Sequence, residues 1–233
     1  MLSVVLFATM RSMKMNRQRP ATQKREFPKN YPTIMRLEER IYENAARLFE
    51  DACALYEARS FPSSYALGIL AYEELGKLAM VDHVGFEAHL SDKASRWDRL
   101  EHLFSHKMFY SHTNKQAWGA YKPMKGGKFA RVEEHLYSGK LEQNKQDALY
   151  VGFRKKRVIV PEKFAASYPY NHLKYTLGLF EEIADLPFVW VFEKSTKRTR
   201  NRAEKTISHL RTLFSGLVSP KKVRGRWGAM ESE

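Results

Sequence analysis

The stretch Tyr65–His83, YALGILAYEELGKLAMVDH, constrains the fold more than any other part of this 233-residue chain. Its first eight residues, Tyr65 to Tyr72, carry no charge, and the apolar run resumes after Lys77. A helix that is apolar all round has to be packed on more than one side. Gly76 and Ala79 are small, which permits close approach of a neighbouring helix. Yet Glu73, Glu74 and Lys77 fall within five positions at its middle. Glu73 and Lys77 are four apart, with the carboxylate N-terminal to the ammonium, the favourable order on one helix face. On a solvated face such a pair is worth about 0.3–0.5 kcal/mol. On a buried helix an isolated charge costs several kcal/mol, so it is paired or placed at a cleft. Two readings stand side by side: a buried structural pair, or part of a polar site.

The flanking sequence reads as further helices. Thr33 is a candidate N-cap after Tyr31-Pro32. Ile34, Leu37, Ile41, Ala45, Leu48, Ala52 and Leu55 then recur every three or four residues as one amphipathic stripe over 33–58. SFPSS breaks it at Pro62. The second helix is expected from Ser63 or Ser64 to about Val84, with Gly85 as its stop. A third is expected over 92–111, with Trp97, Leu100, Leu103, Phe104 and Met108 on its apolar face. KPMKGGK at 122–128 and YSGK at 137–140 mark a looser region. ALYVGF and RVIV, separated by RKK, read as a β-hairpin near 148–160. Helices are expected again over 171–185, with Asn171 as cap, and over 196–217. The fold class is mostly α, with one small inserted hairpin. The expected organisation is a disordered basic segment at 1–30, a helical domain at 31–218 and a basic tail at 219–233.

The formal charge of +14 is unevenly distributed. Residues 1–36 hold 8 Lys/Arg and 1 acid, residues 37–192 hold 21 of each, and residues 193–233 hold 11 Lys/Arg and 4 acids. A neutral body with two basic ends suggests a polyanionic partner, of which RNA is the expected one. Only one cysteine, Cys53, is present. That excludes an internal disulfide and any multi-cysteine zinc site, and it fits a reducing cytoplasm. No run approaches the ~18 apolar residues of a membrane span. The apolar N-terminus MLSVVLFATM lacks a basic n-region and a cleavage site, so it is not expected to act as a leader. KGGK lacks P-loop spacing, and there is no Gly-x-Ser-x-Gly elbow.

The block SSYALGILAYEELGKLAMVDH resembles the second-helix signature of the AbiV family of abortive-infection proteins, part of the HEPN superfamily. Three other stretches share the resemblance: the amphipathic helix 33–58, EHLFSHKMFY at 101–110, and KQDALYVGFRKKRVIVP at 145–161. Together they cover about 33–185. The resemblance implies a HEPN-like helical bundle, often dimeric, and a role in defence against phage, with a phage protein as possible activator. Many members of the wider superfamily are metal-independent ribonucleases. Their motif is Arg, four to six residues, then His, often with Asn, Asp or His directly after the Arg. A Glu-x-x-x-Lys on the neighbouring helix is its companion, and Glu73 to Lys77 matches it.

Three Arg–His pairs have that spacing: Arg96–His102, Arg99–His106 and Arg202–His209. Chance alone supplies about two in a chain of this composition. The residues after the three arginines are Trp97, Leu100 and Ala203, a departure from the motif that favours a non-catalytic protein. Arg99, His102 and His106 share one face of the expected third helix, with Arg96 extending the row. Two imidazoles beside guanidiniums suit RNA cleavage without metal: one takes the ribose 2′-OH proton, another protonates the leaving 5′-oxygen, and cations stabilise the pentavalent phosphate. The expected catalytic set is Glu73, Lys77, Arg99, His102 and His106. Arg96, Lys107, Arg198, Arg200 and Arg202 are the expected RNA contacts. His102 and His106 have ligand spacing, and Asp98 lies a turn before, but no His-Glu-x-x-His is present. Neither a metal nor another cofactor is expected. The alternative function is an RNA-binding or protein-interaction module that does no chemistry.

Overall fold

A computed structural model describes residues 31–89, 98, 101–103, 105, 107–121, 139–154, 157–161, 164–185 and 197–220. The basic segment 1–30, KPMKGGK and most of the tail lie outside the described residues. In chain order the elements are α1 (Tyr31–Glu57), α2 (Phe61–His89), α3 (Lys107–Tyr110), α4 (His112–Tyr121), α5 (Lys140–Leu149), β1 (Gly152–Arg154), β2 (Arg157–Ile159), α6 (Ser167–Asp185) and α7 (Lys197–Gly216). The protein is mostly helical. β1 and β2 pair antiparallel, with Gly152 opposite Ile159 and Phe153 opposite Val158. No described helix is long and apolar enough to cross a membrane.

Of the expected stripe of α1, Ile41, Ala45, Leu48 and Ala52 are buried, Leu37 and Leu55 are half-buried, and Phe49 and Tyr56 join the buried face. Ile41, Ala45, Phe49, Ala52 and Tyr56 are buried against Tyr72, Leu75 and Leu78 of α2, Leu173, Phe180 and Ile183 of α6, and Ile207 and Leu210 of α7. A second cluster joins Met80 and Val81 of α2 to Phe109 and Trp118. A third joins Tyr65 and Ile69 of α2 to Leu141 and Ala148 of α5, with Phe164 packed beside them. Helix α2 therefore contributes to every cluster and packs against α1, α4, α5 and α6. That is why its sequence is apolar on all sides. Cys53 is buried on α1, and burial, with Glu57 and Glu50 nearby, pushes its thiol up to about 12. It is an inert core group.

Several boundaries differ from the sequence expectations for one shared reason. Helix α1 begins at Tyr31, α2 at Phe61 and α6 at Ser167, so Pro32, Pro62 and Pro169 sit inside the first turns. Proline lacks an N–H, but the first-turn N–H groups have no intrahelical acceptor, so nothing is lost there. Ser64 does not cap α2: its Oγ donates to the Ala52 carbonyl of α1 at 2.7 Å. Gly85 does not stop α2, which runs on to His89. Helix α1 ends in a Schellman turn: Arg59 N–H donates to Tyr56 O and Ser60 N–H to Leu55 O. Arg59 occupies the left-handed position, with φ of 61°.

Two helices absent from the sequence expectations are α4 and α5. The expected third helix should have ended at Ser111, but a new helix starts at His112, and the Ser111 Oγ accepts the Asn114 N–H at 3.4 Å. Helix α5 reaches Leu149 and so takes in Ala148 and Leu149, which the sequence had suggested as strand. Both buried faces include polar residues: Lys115 and Gln116 on α4, Lys145 on α5. Such a face leaves no apolar period to read.

The crossing of α2 and α4 is unusually close. A Cβ on Gly76 would lie 1.8 Å from the Lys115 carbonyl oxygen, and one on Gly119 would lie 2.7 Å from the Tyr72 ring. Across the α2–α6 contact, His172 is fully buried, with its ring 5.4 Å from that of Tyr65 and 5.6 Å from that of Tyr72. Burial lowers its pKa to about 4, against the opposing influence of a hydrogen bond to the Gly68 backbone and of the Glu73 charge.

Two predictions follow from these crossings. Gly76→Ala forces backbone apart and costs about 3 kcal/mol or more in urea unfolding. Gly216→Ala, with nothing within 4 Å of the added carbon, is neutral or gains up to about 1 kcal/mol. For His172, the unfolded chain takes up a proton near pH 6.5 while the folded chain stays neutral down to about pH 4. Stability is therefore lost as pH falls from 6.5 to 4, by roughly 3 kcal/mol in all. His172→Leu flattens that part of the stability–pH curve.

Candidate functional site

Glu73 lies on α2 one turn before Gly76, so the close α2–α4 crossing brings α4 directly over its carboxylate. The side chain is only 1 % exposed. A carboxylate this deep is retained only with partners on both oxygens. Helix α4 supplies three, at i, i+3 and i+4. His112 Nδ1 lies 2.5 Å from Glu73 Oε2, Lys115 Nζ lies 3.5 Å from the same oxygen, and Gln116 Nε2 donates to Oε1 at 2.8 Å. Helix α5 supplies a fourth: Lys145 Nζ donates to Oε1 at 2.8 Å.

Glu142 closes the cluster. Its Oε2 accepts from Lys145 at 2.7 Å and from Gln116 at 3.0 Å, and its Oε1 accepts from Gln146 at 2.8 Å. Partial burial pushes its pKa up, but the hydrogen bonds from Lys145 and Gln146 and the charges of Lys145 and His112 outweigh it, so the net shift is downward. Glu142 is thus an ionised carboxylate at neutral pH. The two carboxylates and the two ammoniums of the cluster balance in charge.

His112 is the one member open to solvent, with its side chain 51 % exposed. Lys145 Nζ also lies 3.2 Å from its Nδ1, so the Glu73 carboxylate and the Lys145 ammonium both face that nitrogen. A buried carboxylate holding one nitrogen of a half-exposed imidazole is a general-base arrangement.

The sequence-derived residues divide. Glu73 is at the centre of the cluster. Lys77 is not its partner: Lys77 Nζ bonds Glu74, three residues earlier, at the edge of the helix. A residue four positions on cannot compete with α4 and α5, which meet Glu73 on its buried face. His102 and Lys107 are exposed and outside the Glu73 cluster. Arg96, Arg99 and His106 lie outside the described residues. Arg198 and Arg200 stand in the first turn of α7, their side chains outside the described set. Arg202 Nη2 lies 2.5 Å from Glu43 Oε1, and His209 Nε2 lies 3.5 Å from Glu50 Oε1. That Arg–His pair is engaged along α1, not at Glu73.

His112, Lys115, Gln116, Glu142 and Lys145 were not singled out from the sequence. The usable signal was the helical spacing of HTNKQ and of LEQNK, each a polar face large enough to cover one buried carboxylate.

Glu73 and Glu74 are adjacent in sequence but differ in burial, with side chains 1 % and 15 % exposed. Glu73→Gln leaves Lys115 and Lys145 with one carboxylate between them, and costs about 3–5 kcal/mol in urea unfolding at pH 7. Glu74→Gln weakens the partly buried Lys77 contact and costs less, about 1–2 kcal/mol.

The family model described as AbiV, of the HEPN class, matches residues 33–175, a span that contains α1 from Thr33 onward, α2, α4, α5, the hairpin and every member of the Glu73 cluster. No curated protein and no solved structure matches the chain significantly. With more than half of its length covered, the chain belongs to the AbiV family of HEPN proteins.

Proposed function

We propose that this is an abortive-infection protein that acts on RNA as a metal-independent endoribonuclease, with the Glu73–His112 pair at its centre. The observation that carries the reading is the half-exposed His112, held by Nδ1 on a buried carboxylate. In this mechanism Nε2 takes the proton from a ribose 2′-OH. The 2′-oxygen attacks phosphorus, the bond to the 5′-oxygen breaks, and a second acid protonates the leaving oxygen. Arg99, His102 and His106, on the segment leading into α4, are the proposed source of that acid and of the cation facing the phosphate. Lys77 supports the helix through Glu74. Arg96, Lys107, Arg198, Arg200 and Arg202 are the proposed RNA contacts. A homodimer would bring two such rows together, and a phage protein is the proposed trigger.

One observation favours a second reading, an RNA-binding or protein-interaction module without chemistry. Lys115 and Lys145 are committed to Glu73 and Glu142, so the cluster itself spares no cation for a phosphate.

The test is cleavage of RNA in EDTA by the wild type and by His112→Ala and His106→Ala, each checked for folding by circular dichroism. His112→Ala is expected to lose about 10²–10⁴ in rate while remaining folded. Undiminished cleavage by folded His112→Ala removes that residue from the mechanism. RNA binding without cleavage by the wild type supports the second reading.

A further inference from the structure

One ligand atom from each of Glu73, His112 and Glu142 lies within 4.8 Å of the other two. That is close to the spread of a first coordination sphere, and two carboxylates with an imidazole are a donor set that zinc and similar divalent ions accept. The Lys145 ammonium stands among these atoms, 2.8 Å from Glu73 Oε1, 2.7 Å from Glu142 Oε2 and 3.2 Å from His112 Nδ1. We propose that Lys145 is the resident cation of a Glu73–His112–Glu142 cation site, and that the site takes one divalent transition-metal ion once this ammonium is removed.

The physical case rests on charge and placement. Without Lys145, the ammonium that remains among the described residues is Lys115, which reaches Glu73 at 3.5 Å. Two carboxylates then face one ammonium beside an imidazole, which favours a small cation. With Lys145 present, a metal would have to share the space with a buried ammonium that is only 4 % exposed, and the repulsion excludes it. The ammonium is delivered by the fold: Leu141 and Ala148, on the same face of α5, pack against α2 and fix Lys145 between them. A cation tied to the backbone is not lost to chelators. The inference stands on geometry and holds whether or not RNA is cleaved.

The test uses tag-free wild type, Lys145→Ala and Lys145→Gln, stripped with EDTA, exchanged into chelator-free buffer and titrated with zinc chloride by calorimetry. Magnesium chloride serves as the control, and melting is followed with and without zinc. Both variants are expected to bind one zinc on the order of 100-fold more tightly than the wild type and to melt at a higher temperature with zinc. The wild-type melting temperature is expected to be unchanged by zinc or EDTA. Adding His112→Ala to Lys145→Ala is expected to abolish the gain. Equal zinc affinity in wild type and variants overturns the proposal, as does the absence of zinc binding by the folded variants. Variants that fail to fold even with zinc overturn it too, because a metal able to replace the ammonium has to restore the site.

Discussion

A single carboxylate with almost no access to water organises one side of this molecule. Glu73 sits on a helix that is otherwise packed by apolar contacts, and its charge cannot be stabilised from within that helix. Its neighbours in sequence face elsewhere, with Lys77 taken by Glu74. The counter-charges therefore come from residues 39 to 72 positions away, on α4 and α5. The contacts from α4 need its backbone almost touching α2, and that closeness exists only because Gly76 and Gly119 present no side chain at the crossing. The glycines and the glutamate are thus parts of one arrangement: the first sets the distance, the second makes use of it.

What was legible in the sequence follows from the same physics. Helices α1, α2 and α7 declared themselves because their buried faces are apolar and their periods are intact. The all-round apolar character of α2 correctly implied packing on several sides. Helices α4 and α5 were hidden because part of what they bury is Lys115, Gln116 and Lys145. A buried lysine reads as a surface lysine until its partner is known, and the partner here is remote in sequence. The error at three helix starts was of another kind: the caps were expected at Thr33, at Ser63 or Ser64 and at Asn171, each just after a proline, yet Pro32, Pro62 and Pro169 all occupy the turn that tolerates proline. At the site, Glu73 could be found because a charge on an apolar helix is anomalous by itself. His112 could not, since a histidine in HTNKQ is unremarkable until α2 lies beneath it.

The basic ends also look different once packed. Net charge suggested that α7 offers a field of free cations, but Arg202 meets Glu43, His209 approaches Glu50, and Arg211 meets Glu181. Arg202 and His209 are seven apart, as are Glu43 and Glu50, so α7 runs alongside α1 in the same direction with these pairs in register. Exposed pairs of this kind contribute little stability, each about 1 kcal/mol or less. Their consequence is electrostatic: part of the charge counted in the sequence is answered by acids of the helical body.

Whether the Glu73 cluster stabilises the protein is a separate question from whether it specifies the fold. Desolvating two carboxylates and two ammoniums is expensive, and replacing such networks with apolar groups is often neutral or favourable. But α4 and α5 are ten-residue helices, and α5 buries only Leu141 and Ala148 beside its lysine. Apolar contacts that few would let α5 slide by a turn along α2 at small cost. A hydrogen-bonded ion cluster does not allow it, since a shift of one turn separates every donor from its acceptor and leaves buried charges unpaired. The network therefore fixes register where apolar packing is thin. The outcome of that register is one half-exposed imidazole with its Nδ1 anchored on a buried carboxylate.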